Sequence, residues 1–555
     1  MKDVIVKEIW KLVNLKKEEI EKLIEVPPNS DLGDYAFPCF SPAKSMKKNP
    51  FEIAKDLSKK IKSSAFEKVE SKGPYINFFV NKKLIVERVL KEISKEKEKY
   101  GSTNEGRGKT IVIDLSSPNI AKPFGIGHLR STIIGNSLSN IYSHLGHKTV
   151  KINYLGDWGT QFGKLIVAYK KFGNVKKLKN NPTKHLLELY IQGNDPTYET
   201  EAREWFKKLE AGDKEASKLW KTFKDFSIKE FNSLYNLMNI KFDVISGESY
   251  YNSKMDDTIE ELKKKNLLVN SEGAEGVDLE KYGLGFCLIR KSDGATLYAT
   301  RDLTAAIDRY KKYKFDKMIY EVGQEQKLHF QQVFKVLELL GHEWAKNCSH
   351  IYHGLYLDKE GKKFSTREGR TVFMQDIFDE TISLAKKEIK KREKITEKEL
   401  DERAKAVAIS SIFYGDLKNY RVNDIVFDIN RFISFEGDTG PYILYTYARA
   451  KSILRKAKFN NKSSIKIESI SEKEKELALS LSKFSEIVQH AAKNLAPNII
   501  ANYSYTIAQQ FNEFYHSEKV IGSEQEQFKL QIVSCFAQVL KNTLNLLGIE
   551  VIEKM

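Results

Sequence analysis

The segment from Ser116 to Ser131 constrains this chain more than any other, because it lies between an apolar strand pattern and a helix pattern. The β-branched run at 111–113 comes just before it. Apolar side chains then recur at helical spacing until Gly146 terminates the pattern, at Leu129, Ile133, Leu138, Ile141 and Leu145. A second strand pattern covers 149–152. The order strand, helix, strand predicts a parallel βαβ unit in an α/β domain.

The turn that opens the predicted helix is suited to an anion. In a βαβ unit this turn lies at the carboxyl edge of the sheet, where unpaired N–H groups and the helix dipole favour phosphate. Gly125 and Gly127 let the backbone approach a ligand closely, and His128 supplies a hydrogen-bond donor. A Gly-x-Gly-His tetrapeptide alone also fits an ordinary strand-to-helix turn, so the longer context decides between the two interpretations.

That context is Ser-Ser-Pro-Asn-Ile-Ala-Lys-Pro-Phe-Gly-Ile-Gly-His-Leu-Arg-Ser. It resembles the adenylate-forming signature of class I aminoacyl-tRNA synthetases, which is usually His-x-Gly-His. The sequence around it is similar to that of the arginyl-tRNA synthetases. The resemblance implies an ATP site that includes Phe124, Gly125, Gly127 and His128. Gly125 stands where the family usually has its first histidine, which removes one donor to the nucleotide.

Length and composition fit a multidomain globular protein. With 555 residues the chain is too long for one core, and three or four domains are expected. No window approaches the roughly 18 apolar residues of a membrane span, so we expect a cytoplasmic protein without membrane contact. The four cysteines are dispersed, which predicts neither a structural metal nor a disulfide framework. The net charge of +17 fits a protein that neutralises phosphates.

The predicted fold class is multidomain α/β. Residues 1–100 predict a small α/β domain that resembles the tRNA-binding domain added at the N-terminus of arginyl-tRNA synthetases. Residues 101–420 predict a Rossmann-like catalytic domain with a helical insertion near 165–280. Residues 421–555 are persistently helical, and they resemble the anticodon-binding domain of the family.

Two aspartates lie in segments that match the place where the family holds arginine. Asp114 ends the first strand, and Asp302 closes the segment Tyr-Ala-Thr-Arg-Asp that begins at Tyr298. A guanidinium group needs carboxylates in a two-pronged, planar arrangement, and removing it from water without them is costly. A single aspartate more often caps a helix or faces solvent, and it is the pair that favours a pocket.

The resemblance implies further ligand contacts around these acids. Tyr298 would pack over the ligand, Gln326 and Asn119 would bind the α-amino end, and His329 would lie near the adenosine. A lone glutamine or histidine is more often a satisfied hydrogen-bonding residue of the core. The complete set of predicted arginine-binding residues is Asp114, Ser116, Asn119, Tyr298, Asp302 and Gln326.

The segment Lys-Lys-Phe-Ser-Thr-Arg-Glu-Gly at 362–369 resembles the mobile Lys-Met-Ser-Lys loop of class I synthetases. The lysines of that loop neutralise charge on the transferring phosphates, so Lys363 and Ser365 are predicted to be catalytic together with His128. Thr366 replaces the last lysine of the loop, and Lys122 is placed to supply the missing charge. Standing alone, the segment would be read as a solvated basic turn.

Three residues near the start of the helical C-terminal region are predicted to contact tRNA. Tyr442, Tyr445 and Arg449 recur at three- and four-residue spacing, so they share one face of a helix. Such a face can stack bases and hold phosphates. For the two tyrosines, burial in the core is an equally good interpretation.

The resemblance implies an enzyme that uses ATP with Mg²⁺ to form arginyl-adenylate from L-arginine. It then transfers the arginyl group to the terminal ribose of tRNA(Arg), and tRNA must be bound before activation. We expect a monomer. Two alternatives stay open: a class I ligase for another amino acid, and a non-catalytic tRNA-binding paralogue, because both signature motifs are altered. A cysteinyl enzyme is disfavoured, since the dispersed cysteines offer no zinc ligands.

Overall fold

The computed structural model describes residues 2–292, 297–364, 372–460 and 467–555. The chain divides into two compact units. The first unit comprises Met1–Tyr100, Arg449–Phe484 and Thr506–Leu540, and the second comprises Gly101–Ala448, Ser485–Tyr505 and Lys541–Met555. The predicted domain bounds at 100 and 420 stay predictions.

The N-terminal part of the first unit is a small α/β structure. Its helices and strands are α1 (Lys2–Trp10), α2 (Lys17–Leu23), β1 (Tyr35–Pro38), α3 (Phe40–Met46), α4 (Pro50–Lys60), β2 (Phe66–Lys72), β3 (Tyr75–Val80) and α5 (Lys82–Glu96). The three strands form an antiparallel sheet in the order β1-β3-β2. Phe37 and Phe78 of this sheet are completely buried against Ile5 of α1 and its neighbours. The predicted small α/β domain is therefore confirmed.

The second unit contains the catalytic region. Its helices and strands are β4 (Thr110–Asp114), α6 (Ile126–His144), β5 (Lys148–Leu155), α7 (Thr160–Phe172), α8 (Val175–Asn180), α9 (Pro182–Gln192), α10 (Glu199–Glu210), α11 (Lys214–Leu237), β6 (Val244–Gly247), α12 (Met255–Lys264), β7 (Leu268–Ser271), β8 (Ala274–Asp278), β9 (Phe286–Arg290), α13 (Tyr298–Tyr313), β10 (Lys317–Glu321), α14 (Lys327–Leu340), β11 (Cys348–Ile351), β12 (Tyr356–Leu357), α15 (Met374–Arg392), α16 (Glu397–Leu417), β13 (Ile425–Val426) and α17 (Ile429–Phe432).

A parallel sheet with the strand order β11-β10-β4-β5-β6 forms the centre of this unit. Strand β4 is buried along Ile111–Ile113, as expected for a parallel strand covered on both faces. The chain leaves β4 through α6 and returns as β5 on one side, while β10 lies on the other side. The carboxyl ends of β4 and β10 therefore flank a switch point, where α/β sheets bind their ligands.

The helical segment after β5 ends earlier than its predicted bound at 280. Helices α7 to α11 cover Thr160–Leu237, and the chain then re-enters the parallel sheet as β6. Strands β7, β8 and β9 follow as a separate antiparallel sheet. Four-residue strands such as β6 are too short to show a clear period in the sequence, which explains why the segment reads as helical throughout.

The end of the chain is helical, as predicted. After β13 and α17, the described residues form only helices: α18 (Gly440–Lys456), α19 (Glu472–Ser482), α20 (Phe484–Asn494), α21 (Asn498–Ser517) and α22 (Glu526–Leu546). Among the helices of the described residues, none combines the length and apolarity that a membrane crossing requires.

Candidate active site

The loop that joins β4 to α6 holds three non-glycine residues in the left-handed region. The φ angles are 73° at Ser116, 47° at Ser117 and 61° at Ala121. Such residues cost about 1 to 3 kcal/mol each and persist only where surrounding contacts impose them. Helix α11 supplies two of these contacts, because the Tyr235 hydroxyl lies 2.7 Å from Ser116 Oγ and the Ala121 N–H donates to Ser227 Oγ at 2.9 Å.

His128 is oriented by the start of its own helix. The N–H of Gly125, the N-cap residue of α6, donates to His128 Nδ1 at 3.2 Å. A neutral imidazole that accepts at Nδ1 carries its proton on Nε2, so Nε2–H is left as the donor. Burial lowers the pKa of His128 to about 4, with Lys122 and His353 adding to the shift. His128 is therefore an uncharged hydrogen-bond donor at neutral pH.

The other signature residues divide between ligand-facing and supporting positions. Gly127 is exposed, and a Cβ placed there would meet nothing within 4 Å. Lys122 is half-buried, with Nζ 4.6 Å from the ring centre of Tyr190 on α9. Phe124 is 1% exposed and packs edge-on against Tyr235 of α11. The Phe124 side chain thus supports the loop instead of facing a nucleotide.

Asp114 has a different partner from the predicted one. Its Oδ2 lies 2.8 Å from Nη2 of Arg309 on α13, and Ser117 Oγ donates to its Oδ1 at 2.8 Å. Both members of the ion pair are almost completely buried. A carboxylate that already neutralises a buried guanidinium of the protein is not available to clamp a second one. The predicted clamp of Asp114 with Asp302 stays a prediction, and the pairing with Arg309 favours a supporting position for Asp114.

Asp302 lies in the first turns of α13, where it was expected. Its Oδ2 is 2.6 Å from Nε2 of His329 on α14, so the structure joins a predicted arginine-binding residue to a predicted ATP-binding residue. Tyr298, at the first position of α13, is 53% exposed. The ring of Tyr298 is accordingly available to cover a ligand.

Glu248 is an acid of this region that the sequence interpretation missed. It follows the carboxyl end of β6, as Asp114 ends β4, so the same strand-end rule would have found it had β6 been recognised. Burial raises the pKa of Glu248 to about 8, and Asp302 and Asp157 add to the shift while Arg301 opposes it. Within the described part of the chain no cation lies at ion-pair distance from its carboxylate.

The remaining predicted ligand residues are exposed or already engaged. Asn119 is exposed. Its Oδ1 lies so close to Gly156 that a Cβ on Gly156 would come within 1.9 Å of that oxygen. Gln326 is exposed just before α14. Lys363 donates to Glu325 Oε1 at 2.6 Å, and Ser365 lies outside the described residues. The lysine must leave Glu325 to reach a phosphate.

The three predicted tRNA contacts lie on α18 and are all half-buried. The ring centre of Tyr442 is 5.7 Å from that of Tyr505. Arg449 Nη1 donates to Asn512 Oδ1 at 2.6 Å. Both residues therefore have contacts within the protein, and their binding to tRNA stays a prediction.

No group of three or more histidine, cysteine or acidic side chains within the described residues is arranged to hold a metal ion. The four cysteines are buried and free.

Comparison with known proteins covers the whole chain. The family model described as "tRNA synthetases class I (R), catalytic domain" matches residues 89–429, the DALR anticodon binding domain matches 443–555, and the arginyl tRNA synthetase N terminal domain matches 1–80. The arginine–tRNA ligase of Clostridium perfringens is 47% identical over 567 residues, covering 100% of both chains.

Two solved structures share the fold. The arginyl-tRNA synthetase of Plasmodium falciparum superposes with a TM-score of 0.76 at 27% identity, covering 96% of this chain and 94% of that one. The arginyl-tRNA synthetase of Thermus thermophilus gives a TM-score of 0.82 at 23% identity, covering 100% and 99%.

Proposed function

The chain belongs to the arginyl-tRNA synthetase family and is an arginine–tRNA ligase, and we propose that its arginine pocket is built on Asp302 and Glu248. The two carboxylates would hold the guanidinium group from two sides, with Tyr298 covering it. Asp114 would not contact the substrate. It would lie behind these residues, and its buried ion pair with Arg309 would stabilise the base of the pocket.

The observation that carries this proposal is the position of Glu248, directly after the carboxyl end of β6 at the ligand-binding edge of the sheet. Burial raises the pKa of its carboxyl group to about 8, Asp302 adds to the shift, and a bound cation would favour the ionised form. The guanidinium of arginine is always charged and binds carboxylates through two parallel hydrogen bonds. Lysine has neither the planar fork nor the second pair of donors, so this pair of acids favours arginine.

We propose that the α-amino end of arginine is bound by Ser116, Asn119 and Gln326. The backbone strain in the loop at Ser116 supports this, because such strain clusters at ligand-binding positions. His329 would then lie between the two substrates, with one ring nitrogen on Asp302 and the adenosine on its other side.

The chemistry needs positioning and charge stabilisation and no covalent intermediate on the protein. The arginine carboxylate attacks the α-phosphorus of ATP and diphosphate leaves, so negative charge builds on the phosphates. His128 would donate its Nε2–H to them, while Lys122, Lys363 and Ser365 would approach from the other segments. Mg²⁺, bound to ATP, supplies further charge neutralisation. Phe124, Gly125 and Gly127 would shape the nucleotide site.

The arginyl group then passes to the terminal ribose of tRNA(Arg). We propose that activation requires bound tRNA, because Lys122 rests on Tyr190 and Lys363 on Glu325 in the free enzyme, so both cations must be released. ATP–diphosphate exchange should be silent until tRNA is added.

The full-length relatives set aside a ligase for another amino acid and a non-catalytic paralogue. The monomeric state, the cytoplasmic location and tRNA contacts at Tyr442, Tyr445 and Arg449 stay predictions.

Steady-state charging of tRNA by two variants tests the arginine pocket. Asp302→Asn and Glu248→Gln remove one charge each at nearly constant shape, and each should weaken arginine use by about 2 to 5 kcal/mol, because the guanidinium would be buried against a lost charge. Each of the twenty amino acids is offered, and arginine alone should be attached by the parent enzyme.

Asp308→Asn is the matched control for this experiment. Asp308 lies on α13 like Asp302, but it is partly exposed in an ion pair with Lys254, so its loss should leave the KM for arginine unchanged. An unchanged KM in Glu248→Gln, or lysine charging equal to arginine charging, would refute the pocket.

A further inference from the structure

The segment 153–163 runs from the end of β5 into α7, and the sequence analysis assigned no chemical role to any of its residues. In the structure its aspartate, Asp157, is completely buried at the end of β5. The carboxylate accepts the Ser249 N–H on Oδ1 at 2.8 Å, and on Oδ2 it accepts the Ser249 hydroxyl at 2.7 Å and Lys224 Nζ at 2.6 Å. Both of its oxygens are therefore engaged, with three donors in all.

The turns after β5 and β6 also meet through their backbone. The backbone of Trp158, the residue after Asp157, lies close enough to Glu248, the residue before Ser249, to lower the pKa of its carboxyl group against the effect of burial. The approach is also close, because a Cβ on Gly247 would come within 2.5 Å of the Asp157 carboxyl group. The two turns can meet in this way only while Gly247 has no side chain.

Helix α11 holds the other side of Asp157. Besides the ion pair from Lys224, the indole N–H of Trp220 donates to the backbone oxygen of Asp157 at 2.8 Å. Asp157 therefore connects the last helix of the insertion to the turn on which Glu248 sits, and it does so from a position without access to substrate.

We propose that Asp157 is a positioning residue for arginine recognition, which holds the Gly247–Ser249 turn so that Glu248 faces the guanidinium group. This inference rests on the proposed role of Glu248. A carboxylate pair recognises a planar guanidinium only if both oxygens are held in the required orientation, and a short loop needs supporting bonds to hold them there.

A double-mutant cycle tests the inference. Asp157→Asn and Glu248→Gln are made singly and together, and KM and kcat are measured in tRNA charging with arginine and ATP varied in turn. Asp157→Asn should raise the KM for arginine about tenfold while kcat and the KM for ATP stay within about twofold. In the Glu248→Gln background the same change should raise the KM for arginine less than about twofold, because the orientation of a neutral amide matters less.

Ser249→Ala provides a milder perturbation, because it removes the hydroxyl bond to Asp157 and leaves the N–H bond in place. It should raise the KM for arginine in the same direction by a smaller factor, and it covers the case in which Asp157→Asn does not fold. Asp213→Asn is the matched control: Asp213 caps the start of α11 and accepts two backbone N–H groups, without contact to the β5 and β6 turns.

The outcomes separate this inference from the proposed pocket. If Glu248→Gln leaves the KM for arginine unchanged, the pocket itself is wrong. If Glu248→Gln raises the KM but the effects of Asp157→Asn and Glu248→Gln multiply, or if Ser249→Ala changes neither KM nor kcat, Asp157 has only a structural role and the inference fails while the pocket stands.

Discussion

Glu248 carries a proton at neutral pH, because burial raises the pKa of its carboxyl group to about 8. A guanidinium bound beside it favours the ionised form, so arginine must displace this proton whenever the pH is below 8. If Glu248 binds arginine as proposed, this partly buried residue couples substrate binding to proton release.

The coupling predicts the pH dependence of arginine binding. The affinity should increase as the pH rises from 6 to 8, by up to about tenfold per pH unit, and should then level off, because above pH 8 the carboxylate is already ionised. Isothermal titration calorimetry at pH 7 in buffers of different ionisation enthalpy should detect close to one proton released. Glu248→Gln should abolish both effects, and persistence of the proton release in that variant would assign it to another group.

Gly125 and His128 allow a test of the altered signature. His128→Ala should slow adenylate formation by about 2.7 to 4 kcal/mol in activation free energy, a factor of about a hundred or more, without changing tRNA affinity. Gly125 has a φ of −88°, and among the described residues a Cβ there would meet only the Val372 oxygen, at 3.7 Å. Gly125→His should therefore fold normally and raise the rate or leave it unchanged.

Single-turnover kinetics beside a thermal melt separates these outcomes. A melting temperature well below that of the parent in Gly125→His would contradict the open space found at Gly125. An unimpaired His128→Ala enzyme would remove His128 from the proposed mechanism.

Helix α11 supports the signature loop along its length. Ser227 of α11 accepts the Ala121 N–H at 2.9 Å. Further along, Tyr235 bonds to Ser116. An insertion that the sequence marks only as polar and helical thus holds in place the loop on which catalysis depends.

Ser227→Ala tests this support. It would leave the buried Ala121 N–H unpaired, which should lower the free energy of unfolding by about 1 to 3 kcal/mol and slow adenylate formation. Thr222→Ala is the control on the same helix, since Thr222 is only partly buried and its hydroxyl donates to Lys218 within α11. Chemical denaturation and tRNA-dependent diphosphate exchange measure the two effects.

Adding Ala121→Gly should recover part of the loss, because a φ of 61° costs glycine almost nothing. If Ser227→Ala and Thr222→Ala behave alike, helix α11 does not hold the loop in the way described.

Over the whole molecule, the net charge of +17 is expected to act through tRNA binding. Many phosphate contacts release counterions, so the tRNA dissociation constant should rise steeply with salt concentration. A plot of the logarithm of this constant against the logarithm of the salt concentration should be linear. Arginine binding, measured in the same buffers, should change much less because it involves one guanidinium group and no run of phosphate contacts that releases counterions. A flat salt dependence for tRNA would show that the basic surface is not its binding footprint.

Much of the architecture is readable from local patterns. The strand at Ile111–Ile113, the helix from Ile126 and its end before Gly146 follow from periodicity and glycine placement, and the structure places them as expected. The motifs also identified the family. Such features depend on neighbours within a few positions along the chain, which a sequence displays directly.

The partners of the acidic side chains came only from the tertiary structure. Asp114, which was expected to bind substrate, pairs with Arg309, and Glu248, in a turn with no distinctive pattern, has a pKa that burial and the charge of Asp302 raise. The sequence by itself determined the βαβ framework, the signature residues and the family. Only the tertiary structure decided that Asp114 is neutralised by Arg309 and that Glu248 has a raised pKa. Burial and charge pairing depend on residues that are distant in sequence and meet in space.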